Sequence, residues 1–460
     1  MNELKTLQAK GFKIVSNWQE CNSKSIFFLN TLNLENFDKY QKLAIKKKCT
    51  HIIVNSYIKK LNEIRNIKYY YINVQKDLFK IRKTFFTIGK LKIIFLTGTN
   101  GKTSIAYGSH LLFSLNGISS CYLGTIGFFI NGKKIKNLPN TTPSYLQLSS
   151  LLHEAEKQKI KYAFIEASSI GFKEGRLGDL KFDLCYLTNL QSDHLDYHKN
   201  IKNYHQSKID MINLHSKTYS KLLIQDKNIK KKFSNFKNKN KFLDDFIKHY
   251  KISIERKKFN SFSIKTSFKT YSINTINDFM IKNFISMLHI YFVIHHKLPQ
   301  KINSKIFPDG RSQIIYNKNK KVILIDYAHT KEAFENLLSN LPKDIDHKII
   351  IFGCGGDRDK TKRIKMAKIA SKYTDIQIIT DDNPRNENPS DIRRILIESS
   401  SNPLEIPSRK KAIERGVKLL KIKKGLLIIA GKGHENSQIY KDKIFTFNDR
   451  LVAKSYAKYL

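Results

Sequence analysis

Short apolar runs bounded by polar residues recur along the chain, separated by segments in which apolar residues follow helical spacing. Short runs of this kind are typical of buried strands, and their alternation with helices is typical of a fold built on a parallel sheet. The predicted strands cover residues 51–54, 93–96, 162–165, 322–325, 348–352, 376–379 and 426–429. The pattern therefore predicts an α/β protein.

A glycine-rich turn lies directly after the predicted strand at 93–96. It contains, in order, Gly98, Thr99, Asn100, Gly101, Lys102, Thr103 and Ser104. Glycines let backbone N–H groups approach phosphate oxygens, the lysine ammonium reaches the outer phosphates, and the threonine hydroxyl is a ligand for Mg²⁺. Apolar residues then recur at helical spacing until Asn116-Gly117, a typical helix C-terminus. The strand, turn and helix together predict a binding site for a nucleoside triphosphate.

Polar clusters follow several of the predicted strands. They begin at Glu166, Asp326, Gly353, Asp381 and Gly431. Ligands of open parallel sheets bind beyond the carboxyl ends of the strands. We therefore interpret these clusters as parts of ligand-binding sites.

The length of 460 residues exceeds what one hydrophobic core usually supports, so two or three domains are expected. We place boundaries near residue 88, before the strand that precedes the glycine-rich turn, and near residue 302, where Pro and Gly interrupt the pattern. The predicted domains are residues 1–88, 89–302 and 303–460. Lysine and asparagine hide any periodicity from residue 219 to 271, where we expect loops or a degraded part of the central sheet.

The charge balance is strongly basic, since 83 lysines and arginines against 39 acidic residues give a formal net charge of +44. Such a charge is typical of proteins that bind nucleic acids or anionic membranes. The excess lysine, however, accompanies asparagine, isoleucine, tyrosine and phenylalanine along the whole chain, as in residues 230–241. This spread favours a compositional origin, such as A+T-rich codons, and we expect no specific nucleic acid and no membrane partner. A basic nucleic-acid-binding protein on a relic ATPase fold is the alternative from another class.

The five cysteines are scattered and form no CxxC pair, which favours reduced thiols over a disulfide framework or a zinc site. The N-terminus lacks an apolar signal core, and no apolar run reaches the length of a membrane span. We therefore expect a soluble cytoplasmic protein.

The motifs together resemble the Mur ligase family, ATP-dependent enzymes that extend the peptide of the peptidoglycan precursor. The resemblance covers nearly the whole chain. It is carried by residues 98–104, Asn140-Thr-Thr-Pro and residues 188–198, and by Asp326-Tyr-Ala-His-Thr, residues 353–360, Asp382-Asn-Pro-Arg and Gly431-Lys-Gly-His-Glu. The C-terminal motifs are similar to those of the branch that adds meso-diaminopimelate to UDP-MurNAc-L-Ala-D-Glu.

The resemblance implies a three-domain Mur ligase architecture, with an N-terminal UDP-substrate-binding domain, a central P-loop ATPase domain and a C-terminal Rossmann-like domain that binds the amino acid. It also implies a monomeric amide ligase that uses ATP and Mg²⁺, acts through an acyl phosphate, and serves peptidoglycan synthesis and thereby cell shape and division. The alternatives within the family are a lysine-adding, a D-Ala-D-Ala-adding and a folylpolyglutamate synthetase-like enzyme. The motifs at 382–385 and 431–435 favour the diaminopimelate-adding branch over them.

The resemblance also implies roles for single residues at the nucleotide and the metal. Lys102 would act on the β- and γ-phosphates, and Lys208 would carry CO₂ as a carbamate (N6-carboxylysine), which turns an amine into an anionic oxygen ligand. With His194, these two lysines are the implied catalytic residues. The implied Mg²⁺ ligands are Thr103, Glu166, His194 and carbamylated Lys208, and the implied ATP contacts beyond the turn are Asn283, Arg311, Asp326 and His329.

The implied substrate contacts fall into two groups. Those for the muramyl dipeptide are Ser23, Asn140, Thr141, Thr142, Ser168, Glu174 and Arg176, and those for diaminopimelate are Arg358, Asp382, Asn383, Pro384, Arg385, Gly431 and Glu435. Arg385 suits the far carboxylate of diaminopimelate, because a guanidinium pairs with a carboxylate through two parallel hydrogen bonds. Ile170, Glu174 and Met280 replace a histidine, a glutamine and an asparagine that the family usually has, which affects the details of substrate and adenine binding.

Overall fold

A computed structural model describes residues 2–29, 34–56, 63–226, 229, 240–258, 260–303, 305–342, 345 and 347–460. The chain divides into two compact units. Unit 1 comprises Met1–Phe95, Ile118–Leu184 and Met211–Ser220, and unit 2 comprises Leu96–Gly117, Cys185–Asp210 and Lys221–Leu460. The domain boundaries near residues 88 and 302 stay predictions.

The N-terminal part of unit 1 contains a small parallel sheet. Its elements are α1 (Asn2–Ala9), β1 (Lys13–Val15), a 3₁₀ turn (Trp18–Glu20), β2 (Ser25–Leu29), α2 (Leu34–Lys46), β3 (His51–Asn55), β4 (Lys68–Ile72) and α3 (Val74–Phe85). The strand order is β1-β2-β3-β4, and all neighbours are parallel. Ile26 and Ile53 pack in one core with residues of α1 and α3, and Phe27 and Ile52 pack in another with residues of α2. Both faces of the sheet are therefore covered, as a parallel sheet requires.

The middle of the chain contains a large sheet, a small antiparallel sheet and several helices. Its elements are β5 (Lys92–Thr97), α4 (Lys102–Leu115), β6 (Ser120–Gly124), β7 (Gly127–Ile130), β8 (Lys133–Lys136), α5 (Tyr145–Lys157), β9 (Tyr162–Glu166), α6 (Ser169–Lys173), β10 (Phe182–Leu187), α7 (Leu195–His198), α8 (Ile201–His215), β11 (Ser216–Ile224), β12 (Asn240–Phe242), α9 (Leu243–His249), β13 (Ser253–Lys258), β14 (Ser261–Lys265), β15 (Thr270–Asn274) and α10 (Asp278–His295). Eight strands have the order β12-β11-β10-β5-β9-β6-β7-β8, and β13, β14 and β15 form a separate antiparallel sheet.

The C-terminal part of unit 2 is a six-stranded sheet with helices. Its elements are β16 (Gln313–Lys318), β17 (Lys321–Asp326), α11 (Lys331–Ser339), β18 (Lys348–Phe352), α12 (Thr361–Tyr373), β19 (Ile376–Ile379), α13 (Pro389–Glu398), β20 (Pro403–Glu405), α14 (Arg409–Ile422), β21 (Gly425–Ala430), β22 (Ser437–Tyr440), β23 (Lys443–Thr446) and α15 (Asp449–Ala457). The order is β16-β17-β21-β18-β19-β20, with β16 antiparallel to β17 and the other neighbours parallel.

Alternation along the strands builds two cores on the faces of this C-terminal sheet. Leu324 and Ile428 face a core that includes residues of α11, α12 and α13, whereas Ile323 and Ile429 face a core that includes residues of α14 and α15. Side chains of successive strand residues point to opposite faces, so an uninterrupted apolar run fills both cores. The result is a three-layer α/β sandwich whose strand ends carry the polar motifs.

The predicted α/β class and all seven predicted strands are confirmed, with ends within one residue of the predicted ones. The interpretation of residues 219–271 was only partly right. Strands β11 and β12 do belong to the large sheet, but β13, β14 and β15 form an antiparallel sheet instead of loops, with a register shift between Arg256 and Lys258. Residues 227–228, 230–239 and 259 of this range lie outside the described residues. All five cysteines are buried free thiols. No helix in the described ranges has the length and apolarity needed to cross a membrane.

Candidate active site

The glycine-rich turn joins β5 to α4 in unit 2. Gly98 and Gly101 have φ angles of +133° and +90°, a region that favours glycine. A Cβ at Gly98 would lie 1.9 Å from Thr188 Oγ1, and one at Gly101 would lie 3.0 Å from Asn283 Oδ1. Helix α4 begins at Lys102, so its first N–H groups follow the turn directly. Glycine is therefore required at both positions of the turn, and its role as a phosphate-binding loop stays a prediction.

The segment after β10 holds this turn by hydrogen bonds. Thr188 Oγ1 donates to the Asn100 carbonyl (2.6 Å), and the Asn100 N–H donates to Asn189 Oδ1 (3.0 Å). Asn100 Nδ2 donates to Gln191 Oε1 (2.8 Å), and the Thr99 N–H donates to the Asn189 carbonyl (3.0 Å). The turn is thus preorganised, which is the condition for stabilising phosphate charge without a further reorganisation cost.

Two lysines converge on one carbonyl of the turn. Lys102 Nζ donates to the carbonyls of Gly98 (2.9 Å) and Thr99 (2.8 Å), and Lys208 Nζ donates to the Gly98 carbonyl (3.0 Å). Lys208 lies on α8, is only 1% exposed, and has its Nζ 4.7 Å from the centre of the Tyr204 ring. Burial, together with the nearby Lys102 ammonium, holds the pKa of Lys208 well below its ordinary value. The neutral amine of Lys208 is therefore easier to form than that of an exposed lysine.

His194 and Asn283 occupy different surroundings in unit 2. His194 has a left-handed backbone (φ +51°), and its half-exposed imidazole lies 3.5 Å from Asp193. Asn283 is fully buried in α10, where its Nδ2 lies 3.6 Å from Met280 Sδ. Met280, which departs from the family pattern, therefore contacts the side chain predicted on the adenine side. Thr103, the predicted Mg²⁺ ligand beside the nucleotide, is buried in the first turn of α4.

The structure brings the predicted C-terminal ATP contacts together around Tyr327, after β17. The Arg311 guanidinium carbon lies 4.3 Å from the centre of the Tyr327 ring, and the His329 ring centre lies 4.6 Å from it. Asp326 Oδ2 accepts from the Ser312 N–H (2.6 Å). Burial raises the pKa of Asp326, although Arg311 and this hydrogen bond oppose the shift. Asp326 therefore also organises the loop that carries Arg311.

Glu166 ends β9 in unit 1 and is fully buried. Its Oε1 accepts from the Tyr122 hydroxyl and from the Thr125 N–H (3.0 Å), and its Oε2 accepts from the Thr125 hydroxyl (3.2 Å). Gly124 leaves the necessary space, because a Cβ there would lie 2.2 Å from Glu166 Oε1. These donors fix the carboxylate in one orientation.

Three of the predicted muramyl-dipeptide contacts connect to Glu166 in the same unit. Thr142 Oγ1 donates to the Glu166 carbonyl (2.8 Å) and lies 3.0 Å from Ser168 Oγ. Thr141 Oγ1 lies 3.1 Å from Thr125 Oγ1, which itself bonds Glu166. The turn after residue 140 and the end of β9 are therefore one hydrogen-bonded cluster.

Arg176 is placed on the same cluster. Its Nη1 donates to the Thr142 carbonyl (2.9 Å), and its Nη2 directly contacts the Glu174 carboxylate. Glu174 stands where the family usually has glutamine, so an internal ion pair uses part of the guanidinium that was predicted to bind an anionic substrate. Asn140 and Ser23 are exposed in unit 1, and their substrate contacts stay predictions.

Arg385 lies after β19 with a left-handed backbone (φ +52°). Its N–H donates to the Ile439 carbonyl (3.0 Å), and its carbonyl accepts from the Lys441 N–H (2.7 Å), which attaches the turn to the β22–β23 hairpin. Its Nη1 donates to the Gly356 carbonyl (2.8 Å). The guanidinium therefore lies against the 353–358 loop, which also carries the exposed Arg358.

The remaining predicted amino-acid contacts meet beyond β19 and β21. Asn383 Nδ2 donates to Glu435 Oε2 (2.9 Å), and a Cβ at Gly431 would lie 2.8 Å from Asp382 Oδ2. The buried Lys432 Nζ lies 3.1 Å from Asn383 Oδ1 and 2.9 Å from Glu435 Oε2. Charges of both signs and an amide thus lie in adjacent loops, a combination that suits a zwitterionic ligand.

Comparison with known proteins identifies the family. The model of the Mur ligase middle domain matches residues 96–290, and that of the Mur ligase, glutamate ligase domain matches residues 310–433. The UDP-N-acetylmuramoyl-L-alanyl-D-glutamate–2,6-diaminopimelate ligase of Rickettsia conorii is 32% identical, covering 98% of this chain and 96% of its own length. The protein of the same name from Clostridium perfringens is 32% identical, covering 89% of this chain and 87% of its own length.

The chain belongs to the Mur ligase family. A solved structure, the MurF ligase of Thermotoga maritima in complex with ADP, is similar to this Mur ligase with a TM-score of 0.64 and 15% identity, over 100% of both chains. At that identity the likeness shows a shared fold. The family resemblance and the fold that it implied are confirmed.

Sequence reasoning missed several residues of this Mur ligase that support the predicted ones. Thr188, Asn189 and Gln191 lie inside the 188–198 motif, whose position directly after a strand was a usable signal. Lys432 lies inside the 431–435 motif and would have been found by asking what pairs with Glu435. Tyr122, by contrast, is one of many aromatic residues in the strands, and nothing in the sequence indicates that it contacts a site residue.

Proposed function

We propose that this Mur ligase is an ATP-dependent amide ligase that joins meso-diaminopimelate to UDP-MurNAc-L-Ala-D-Glu in peptidoglycan precursor synthesis. The observation that carries the proposal is the group formed by Asp382, Asn383, Arg385 and Glu435, whose charges suit an amino acid with a second carboxylate. The names of the two relatives support it, because they give these two substrates. We also propose that the enzyme is a cytoplasmic monomer and contributes, through the cell wall, to cell shape and division.

The proposed reaction activates a carboxylate, because a carboxylate oxygen is a poor leaving group. The terminal carboxylate of the dipeptide attacks the γ-phosphorus of ATP, ADP leaves, and an acyl phosphate forms. The amine of diaminopimelate attacks the acyl carbon and loses a proton, and phosphate leaves. One ATP is thereby used for each amide. Lys102, which follows the preorganised turn, stabilises charge on the β- and γ-phosphates during the first transfer.

The donor chemistry of the chain fits Mg²⁺, which prefers oxygen ligands. Glu166 presents an oriented carboxylate in unit 1, and the Thr103 hydroxyl opens α4 directly after the turn in unit 2. We propose that Thr103, His194 and carbamylated Lys208 of unit 2 are ligands of the ion, and the role of Glu166 as a further ligand stays a prediction. A bound Mg²⁺ would neutralise phosphate charge as the γ-phosphoryl group is transferred. Glu166 depends for its orientation on Tyr122 and Thr125.

We propose further that Lys208 is carbamylated. The burial of Lys208 favours the neutral amine. The lone pair of this amine attacks the carbon of CO₂, the nitrogen loses one proton to water, and a carbamate forms whose negative charge is shared by two oxygens. The carbamate nitrogen keeps one N–H, which can still donate to the Gly98 carbonyl as Nζ does. An ordinary surface lysine has neither the burial nor this fixed partner.

One assay tests the proposed function. Purified protein is incubated with UDP-MurNAc-L-Ala-D-Glu, ATP, Mg²⁺ and a choice of amino acids, and the products are identified by mass. We expect the meso-diaminopimelate adduct, together with one ADP and one phosphate for each adduct. Equal use of lysine would make the amino-acid assignment wrong, and the absence of any adduct would make the ligase assignment wrong.

Arg385→Ala should raise the KM for meso-diaminopimelate at least 30-fold while the KM for ATP stays within twofold of wild type. The reason is that the far carboxylate would lose its guanidinium partner in the amino-acid site, a loss of about 2 kcal/mol or more. Steady-state kinetics with each substrate varied in turn measures both values.

The control for Arg385 is Arg394→Ala in the same part of the chain. Arg394 is an exposed arginine on α13 that pairs with Asp391 (3.1 Å), and we expect its loss to change neither KM by more than twofold. A variant Arg385→Ala that keeps the wild-type preference for meso-diaminopimelate over lysine would remove Arg385 from the amino-acid site.

A further inference from the structure

Lys432 is a fully buried lysine two residues after the end of β21, and no role was predicted for it from the sequence. Its Nζ lies 2.9 Å from Glu435 Oε2 and 3.1 Å from Asn383 Oδ1. Burying an ammonium group costs free energy unless its N–H groups donate to acceptors. These two contacts therefore stabilise the buried position of Lys432. Both partners are predicted contacts of the amino-acid substrate.

The two partners are also joined to each other. Asn383 Nδ2 donates to Glu435 Oε2 (2.9 Å), and the Ile439 N–H donates to Asn383 Oδ1 (3.1 Å). Glu435 Oε2 therefore accepts from two groups of the protein. No hydrogen bond to Glu435 Oε1 is present among the residues that the structure describes, and this side chain is 30% exposed.

The chemistry of lysine determines the orientation of both partners. A lysine ammonium has three donors and no acceptor, so Asn383 must turn its Oδ1 toward Nζ. The amide nitrogen of Asn383 then points at Glu435 Oε2, and that oxygen becomes the internal one. Glu435 Oε1 is the oxygen left for an external cation. Without Lys432, the Ile439 N–H would still hold Asn383 Oδ1, but the Glu435 carboxylate would lose its cation and either of its oxygens could face inward.

We infer that Lys432 is a positioning residue for the amino-acid substrate: it fixes the Asn383 amide and the Glu435 carboxylate so that Glu435 Oε1 receives an ammonium group of the incoming amino acid. The inference rests on the proposed function and adds to it a residue that does not itself touch the substrate. It assigns to Lys432 an effect on amino-acid affinity that is separate from nucleotide binding.

Lys432→Met tests the inference, because methionine has a similar length and no charge. We expect the KM for meso-diaminopimelate to rise at least 20-fold, while the KM for ATP stays within twofold and Lys432→Arg recovers part of the loss. The control is Lys418→Met on α14, which removes an exposed lysine paired with Glu414 (2.7 Å) and should change neither KM by more than twofold. Equal increases of both KM values in Lys432→Met would overturn the inference.

A double variant covers the case in which Lys432→Met folds poorly, since Lys432→Met/Glu435→Gln removes the carboxylate together with its cation. If Lys432 acts through Glu435, the double variant should have the KM for meso-diaminopimelate of Glu435→Gln alone, within threefold. If the two substitutions instead raise this KM by independent factors that multiply in the double variant, the inference is contradicted.

A crystal structure of Lys432→Met provides a readout without turnover. We expect a changed Glu435 rotamer, because the carboxylate loses its buried cation, and an unchanged Glu435 side chain would overturn the inference. This result is independent of the ligase assay, so failure of the inference and failure of the proposed function are distinguishable.

Discussion

Lys208→Ala should retain less than one-thousandth of the wild-type ligase activity. Alanine removes the amine that would capture CO₂, and with it the anionic oxygen proposed to hold Mg²⁺ beside the phosphates. The same change also leaves the Gly98 carbonyl with only Lys102 of the two lysines that now donate to it. Initial rates of diaminopimelate adduct formation, followed by mass, measure the loss.

The matched control is Lys202→Ala on the same helix, because Lys202 is exposed whereas Lys208 is buried. We expect Lys202→Ala to keep at least half of the wild-type activity. Added bicarbonate should stimulate wild-type enzyme that has been depleted of CO₂, and it should leave Lys208→Ala inactive. Wild-type protein equilibrated with ¹³C-bicarbonate should give a carbamate carbon signal that Lys208→Ala lacks. A fully active wild-type enzyme without that signal would contradict carbamylation.

Much of the fold could be predicted because the strands of a parallel sheet are buried on both faces. The run at 348–352 is apolar at every position after its first residue, and alternate residues serve two different cores. Such a run has no polar position to obscure its ends, so its bounds were found to the residue. The turn at 98–104 was equally readable, because its glycines and lysine are required by one mechanism.

The antiparallel sheet β13-β14-β15 could not be predicted from the sequence, because much of it is exposed to solvent and not buried on both faces. Every residue of β13 is exposed or nearly so, and in β15 the buried residues Tyr271 and Ile273 alternate with exposed ones. A solvated strand tolerates polar and charged residues, such as Ser253, Glu255 and Lys257 in β13. Only a few positions of these strands are therefore buried and apolar, so the sequence lacks the apolar pattern that predicts a strand.

The candidate site shows a similar limit. The motifs identified Glu166, Asn383 and Glu435 as candidate site residues. The residues that orient these side chains are of types that do not by themselves indicate a functional role. Tyr122 is a fully buried strand residue like many others, and its hydroxyl matters only because β6 pairs with β9. Lys432 lies inside the 431–435 motif, but its residue type alone did not distinguish it from the many other lysines of a chain with a charge of +44. Pairings across strands and loops are set by tertiary structure, so one sequence does not reveal them.

Lys102→Ala should lower ligase activity at least 100-fold, which corresponds to about 2.7 kcal/mol of lost transition-state stabilisation. In the structure Lys102 Nζ rests on the Gly98 and Thr99 carbonyls, so the ammonium is already held at the turn that is proposed to bind the phosphates. Lys102→Arg should also be strongly impaired, because a planar guanidinium cannot occupy the place of a compact ammonium between these carbonyls. Release of phosphate in the presence of the dipeptide substrate measures the first chemical step directly.

The Lys102 and Lys208 variants should fail in different ways, and this difference separates nucleotide chemistry from carbamylation. Burial is the larger cause of the lowered pKa of Lys208 and the Lys102 ammonium the smaller one, and the packing of Lys208 against the Tyr204 ring does not involve Lys102. Lys102→Ala should therefore keep the ¹³C carbamate signal while losing phosphate release, whereas Lys208→Ala should lose both. Near-normal phosphate release by Lys102→Ala would show that the turn is not the catalytic phosphate site, because the charge proposed to stabilise the transferring phosphoryl group would then be dispensable.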